Sequence, residues 1–172
     1  RGRLHHHTEW GEIGKATMSY GYGITVTPIQ LAQAYSVIAN NGLYTPLSLR
    51  KGLFNESKRV INEDTAKALL SMLEKVVEDG TSKKAAVNGY RIGGKSGTAW
   101  KTSGAGGYST DRYRSIFAGI APIDDPRLVA VVFIEEPTGE FYYGGDVAAP
   151  VFSEIISQSL QLLSIPPQGF IT

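Results

Sequence analysis

Cysteine is absent from this chain, which excludes a disulfide framework and a thiolate metal site and suits the cytosol or a periplasm that needs no staples. Long apolar runs are absent too. Nothing approaches the roughly 18 residues of a membrane span, and no charged, then apolar leader opens the sequence. The first residue is Arg1 rather than a methionine, so the chain is expected to be a fragment whose targeting segment lies outside it. Charge of one sign is lacking as well. Seventeen Lys and Arg stand against 16 Asp and Glu, a formal net charge of +1, which offers no strong field for nucleic acid or an acidic membrane. Internal repeats and a convincing domain boundary are also missing. What is present is 172 residues, 42% hydrophobic and 19% charged, enough for one folded unit with a real core and too apolar for a disordered chain.

Arg1 to Lys15 reads as a solvated loop. Its His5-His6-His7 run has no acidic cluster beside it, and three consecutive residues do not share a helix face, so no metal site is assigned. In Ser19-Tyr20-Gly21-Tyr22-Gly23 the glycines let backbone approach backbone while the rings pack or line a groove. A helix follows: Thr27 as N-cap, Pro28 at the first position, Gln30 completing a capping box, and Asn41-Gly42 as the stop. Its stripe of Ile29, Leu31, Ala32, Ala34, Tyr35, Val37 and Ile38 is assigned to the core. Leu43 to Ile61 reads as irregular chain and short strands. Asn62 caps a second helix, buried through Ala66, Leu69, Leu70, Leu73, Val76 and Val77 and stopped by Gly80. Thr81-Ser82-Lys83-Lys84 is a solvated connection. Thr81 and Lys84 have nucleophile–lysine spacing, but nothing apolar surrounds them to desolvate the lysine.

Ser115–Ala121 and Leu128–Ile134 are apolar strands around the turn Pro122-Ile123-Asp124-Asp125-Pro126-Arg127. Tyr108 to Arg114 reads as a continuation of the loop Thr102-Ser103-Gly104-Ala105-Gly106-Gly107, which opens onto no helix and therefore is no phosphate cradle. Glu135 and Glu136 are expected to point to opposite faces and not to pair. Phe141-Tyr142-Tyr143-Gly144-Gly145 reads as an aromatic patch on a glycine hinge, before a last helix entered around Pro150. That helix carries Val151, Phe152, Ile155, Ile156, Leu160, Leu162 and Leu163, and Pro166-Pro167 ends it. The fold class is α/β (α+β): an antiparallel sheet covered by helices.

The chemistry gathers in Gly93-Gly94-Lys95-Ser96-Gly97-Thr98-Ala99. An extended segment turns Lys95 away from Ser96, and Ser96 and Thr98 are expected on opposite faces unless the strand twists. Gly97 lets a ligand approach the backbone. A cation, two hydroxyls and a reachable N–H make a receptor for a carboxylate or a developing oxyanion. The plain alternative is a glycine-weakened edge strand with a solvated lysine.

Lys95-Ser96-Gly97-Thr98 resembles the Lys-Ser/Thr-Gly motif of the penicillin-recognising serine enzymes. Its setting resembles the class B penicillin-binding proteins, in the run from Ala16 through Tyr20-Gly21-Tyr22-Gly23 to Val26-Thr27-Pro28-Ile29-Gln30-Leu31-Ala32. It does so again in Tyr142-Tyr143-Gly144-Gly145 with Ala149-Pro150-Val151-Phe152. The Tyr20–Gly23 wording is nearer the division-specific Gram-negative type. The resemblance implies a peptidoglycan D,D-transpeptidase with a penicillin-binding-protein/β-lactamase-like fold, no cofactor and no metal. Its substrates would be peptidoglycan stem peptides, and β-lactam antibiotics would trap its serine. Its partners would be a division glycosyltransferase and other divisome proteins, at the periplasmic face of the inner membrane, with the anchor outside this chain. By the same resemblance Lys95 and Thr98 are catalytic: Lys95 supplies positive charge, and the Thr98 N–H is half of an oxyanion hole. Ser96, Gly97 and Thr98 would bind the substrate carboxylate, and Tyr142 and Tyr143 would wall the acyl side chain.

The family also has Ser-x-x-Lys, with the nucleophile, and Ser-x-Asn, both ahead of the aromatic–glycine run. Neither is expected anywhere in this chain. Thr98-Ala99-Trp100-Lys101 has the first spacing but starts with threonine inside the third motif, so the nucleophile is not assigned to it. Residues 1–172 are therefore expected to be the C-terminal portion of one transpeptidase domain, with the upstream half as its partner and an apolar face left for it. Two alternatives stand beside this: a non-catalytic peptidoglycan- or partner-binding module on the same scaffold, and a serine β-lactamase.

Overall fold

A computed structural model describes residues 2, 6–50, 56–102 and 108–167. The elements in order are a 3-10 turn His7–Glu9, α1 (Glu12–Met18), α2 (Pro28–Ala39), β1 (Leu43–Tyr44), β2 (Lys58–Arg59), α3 (Glu63–Glu78), a 3-10 turn Lys83–Ala85, β3 (Gly93–Thr102), β4 (Tyr108–Ala121), β5 (Leu128–Glu135) and α4 (Gly144–Leu162). β3, β4 and β5 form an antiparallel sheet in that order, with β4 central. β1 and β2 make a separate two-stranded ribbon. His5 and the loop 103–107 lie outside the described residues, and among those described no group of His, Cys, Asp and Glu could hold a metal.

The sheet is covered on both faces. Val132, Phe117 and Ser96 stand abreast on one face, where α4 packs through Phe152, Ile156 and Leu160, all essentially sealed from solvent. Phe117 and Phe152 meet with ring centroids 4.7 Å apart. On the other face Ile120 and Val129 pack with Ile123, with Leu70 and Leu73 of α3, and with Tyr35 and Ile38 of α2. Burying large side chains on both faces supplies most of the driving force for the layered arrangement, about 1.5–3 kcal/mol for each one fully buried.

Local signals explain the helix ends. The capping box of α2 is complete: Thr27 Oγ1 accepts from the Gln30 N–H, and the Gln30 side chain accepts from the Thr27 N–H at 3.0 Å. Asn41 and Gly42 take positive φ, 51° and 86°, where a left-handed stop is needed. Asn62 caps α3 by accepting from Thr65 N–H at 2.8 Å.

Four expectations are corrected. Glu12–Met18 is helical rather than loop. Tyr108 to Arg114 is the first half of β4 rather than loop, because β3 continues to Trp100 and Thr102 and offers it a partner. In the α2 stripe only Val37 is buried, while Ile29 is 62% exposed, since the helix has the sheet on one side alone. The last helix begins at Gly144, six residues before Pro150, and carries that proline inside it.

Candidate active site

Among the described residues β3 is an edge strand of the sheet. Ser96 and Thr98 do not part. A strand repeats every two residues, and both side chains stand on the α4 face. The Thr98 hydroxyl oxygen accepts a hydrogen bond from the Gly144 N–H at 3.0 Å, and an added Cβ on Gly145 would stand 3.9 Å from Ser96 Cβ. Thr98 thus caps the first turn of α4, whose N-cap residue Tyr143 makes no side-chain capping bond. An oxygen that accepts this N–H keeps its own proton to donate.

Gly144 and Gly145 are buried, and they anchor α4 rather than hinge it. A Cβ on Gly144 would lie 2.3 Å from the Ile116 carbonyl oxygen and 2.6 Å from that of Gly97; one on Gly145 would lie 2.3 Å from the Thr81 carbonyl oxygen. The helix start is pressed against β3, β4 and the segment after α3, and only glycine allows that approach.

Together these elements wall a cleft of about 510 Å³ lined by Thr81, Lys95, Ser96, Thr98, Tyr143, Gly145 and Asp146. Lys95 is exposed and its ammonium donates to the Ser96 carbonyl oxygen at 2.7 Å; among the described residues it has no carboxylate partner. Gly97 is exposed, and a Cβ there would meet nothing closer than 3.9 Å. Lys95, Ser96 and Thr98 therefore line one cleft, with Gly97 leaving their backbone open.

Of the two tyrosines, Tyr143 lines the cleft and Tyr142 backs it. Trp100, Tyr113, Tyr142 and Tyr143 form a continuous row, with centroid spacings of 4.8, 4.0 and 4.5 Å. The Ser115 hydroxyl donates to the Tyr142 carbonyl, which fixes that end of the row to β4. At the other end Trp100 joins Thr17, Tyr20, Tyr22 and Gly23 around a second hollow of about 440 Å³, so the aromatic–glycine run does line a groove.

Thr81 and Asp146 line the cleft, with Lys84 paired to Asp146, and no motif in the sequence places them there. Thr81 belongs to a stretch that reads as a solvated connection, yet its carbonyl packs on Gly145 and its residue lines the cleft. Lys84 reaches Asp146 Oδ1 at 2.7 Å and sits over the Phe141 ring at 5.5 Å. Asp146 occupies the first turn of α4. An acidic residue at a helix start is a recognisable signal; its partner 62 positions away is not.

The spacing Thr98-Ala99-Trp100-Lys101 is no nucleophile pair. Lys101 Nζ is held by Glu135 at 2.7 Å and by Glu136, and hydrogen bonds from Lys101 and then Arg114 hold the Glu135 carboxyl below its usual range. Strand alternation has the two glutamates diverge. They converge because Glu136 has φ 53° and turns the chain out of the strand. The expectation that Ser-x-x-Lys is missing is corrected, since Ser48-Leu49-Arg50-Lys51 carries the spacing after α2. Ser48 lines no part of the cleft, its hydroxyl donates to the Arg50 carbonyl oxygen at 3.2 Å, and Lys51 lies outside the described residues.

Residues 2–157 match the family described as the penicillin binding protein transpeptidase domain. The chain is 47% identical over 170 residues to a probable peptidoglycan D,D-transpeptidase, PbpC, of Pseudomonas aeruginosa, covering 98% of this chain and 30% of that protein. It is 41% identical over 165 residues to the peptidoglycan D,D-transpeptidase FtsI of Escherichia coli, covering 95% and 28%. In structure it resembles the apo transpeptidase domain of Burkholderia pseudomallei penicillin-binding protein 3, with a TM-score of 0.89 and 45% identity over 98% of this chain and 52% of that one. The chain thus spans under a third of these curated relatives and about half of the solved domain.

Proposed function

The chain belongs to the penicillin-binding protein transpeptidase family, and from that premise we propose that it supplies one wall of the active site of a peptidoglycan D,D-transpeptidase. Residues 1–172 are then one portion of a transpeptidase domain, and the attacking serine comes from the rest of it. In the reaction that serine's oxygen bonds to the penultimate D-Ala carbonyl carbon, the amide C–N bond breaks, and terminal D-Ala leaves with a proton. An amine of a neighbouring stem then attacks the ester, forms the cross-link and returns the serine. A β-lactam stops at the first ester.

The observation that carries this reading is the shared cleft of Lys95, Ser96 and Thr98 beside Tyr143, with the Thr98 oxygen accepting from α4. A terminal carboxylate has the Lys95 ammonium and the Ser96 and Thr98 hydroxyl protons to bind. The Thr98 N–H is one oxyanion donor, a role worth about 2.7–4 kcal/mol where such a donor has been removed elsewhere. Exposed Gly97 admits the substrate backbone, and Tyr143, stiffened by Tyr142, flanks the acyl side chain. The setting that goes with this reading is the periplasmic face of the inner membrane, among cell-division proteins that include a glycosyltransferase.

The test is covalent labelling of the full-length protein by a fluorescent penicillin. Wild type is expected to label stably, and Lys95→Ala to lose labelling. Labelling of that variant at the wild-type rate removes Lys95 from the catalytic machinery. No labelling of wild type leaves a non-catalytic binding module, and rapid turnover of the label leaves a β-lactamase.

A further inference from the structure

Lys84 and Asp146 do more than join two segments: we infer that Asp146 is a specificity-determining residue, whose carboxylate keeps Lys84 compensated so that Lys95 is, among the described residues of the cleft, the one cation a substrate carboxylate can seek. The inference rests on the transpeptidase reading of the cleft. Asp146 lines the cleft from the first turn of α4, where unpaired helix N–H groups favour a negative charge. Its side chain is 32% exposed and that of Lys84 52%, with the ions 2.7 Å apart. The ammonium also lies over Phe141, so Lys84 is held from two sides. Lys95 has only the Ser96 carbonyl as a partner among the described residues.

The charge pattern that results is one compensated cation on the rim and one uncompensated cation beside Ser96 and Thr98. An extended substrate with a single terminal carboxylate then has one favoured register. Without the Asp146 charge the rim gains a second attractive point. A ligand with a second carboxylate on its acyl side chain benefits from that point, and a ligand without one does not.

The experiment uses the full-length protein and two β-lactams of one ring system, one with a carboxylate on the acylamino side chain and one with an uncharged isostere there. Acylation rate constants are followed by intact mass spectrometry. Asp146→Asn is expected to raise the ratio of dicarboxylate to monocarboxylate rates about two- to five-fold, the range set by a partly exposed charge pair. Lys84→Met, which leaves Asp146 uncompensated, is expected to lower the ratio below wild type, and the double variant to restore it. If the pair only tethers the segment to α4, both probes slow together and the ratio stays at the wild-type value in every variant, which overturns the inference. Failure of both probes to acylate wild type instead overturns the transpeptidase reading beneath it.

Discussion

A Cβ at Gly94 would stand 2.5 Å from the Phe117 ring and one at Gly144 2.3 Å from a carbonyl oxygen, while at Gly97 the nearest neighbour is 3.9 Å away. Packing explains the first two glycines but not the third, which the transpeptidase reading gives to the ligand. Gly97→Ala is therefore expected to fold as wild type does, with a change in stability within about 0.5 kcal/mol, yet to slow acylation by penicillin about 10- to 100-fold by displacing the acyl donor. Thermal melting and labelling kinetics on the same preparation check both halves, and a wild-type labelling rate would remove Gly97 from the binding surface. The role proposed for Gly97 can be read from the amino-acid sequence alone, because the motif holds few side chains. Those of Asp146 and Thr81 cannot, since their value comes from neighbours far away along the chain.

Among the elements, α2 and α3 can be read from sequence almost to the residue, because each begins with a side chain that satisfies an orphan N–H locally. The start of α4 cannot. Two glycines are poor helix formers, and Pro150 is a common first-turn residue, so local propensity points to the wrong start. Tertiary contact decides instead: Thr98 provides the cap and the sheet admits no side chain at Gly144. Gly144→Ala should force the helix off the sheet, costing about 1–3 kcal/mol as an overpacked contact and weakening the bond to Thr98. A fall in melting temperature together with slower acylation is expected, with Gly139→Ala as the control, since a Cβ there meets nothing within 4 Å. Equal melting temperatures for the two variants would show that α4 is not seated as described. The N-terminal half of β4 escapes a sequence reading for a similar reason: Tyr108 to Arg114 has no apolar alternation, and only its partner β3 makes it a strand.

Across the whole molecule, the two-faced sheet is foreseeable from apolar patterning, but what locks the helical layer to it is not. Glu74 lies on the buried side of α3, its side chain 8% exposed, and receives two hydrogen bonds from Arg91 at 2.6 and 2.7 Å. Arg91 sits two residues before β3, so the pair clamps α3 to the entry of the motif strand. The hydrogen bonds from Arg91 outweigh the opposing effect of burial and lower the Glu74 pKa from its ordinary value of 4.5. A carboxyl whose folded pKa is depressed adds stability above its unfolded pKa and loses it as pH falls through the folded value. The clamp should thus contribute fully at pH 7, begin to weaken near pH 4.5, and vanish below the folded pKa. Glu74→Gln is expected to cost about 2 kcal/mol at pH 7, the range of a charged hydrogen bond, and the gap between variant and wild type should close on acidification. Urea unfolding of the complete domain across that range measures the gap. A difference that stays constant with pH would mean that packing, rather than the Arg91 charge, holds Glu74 in place.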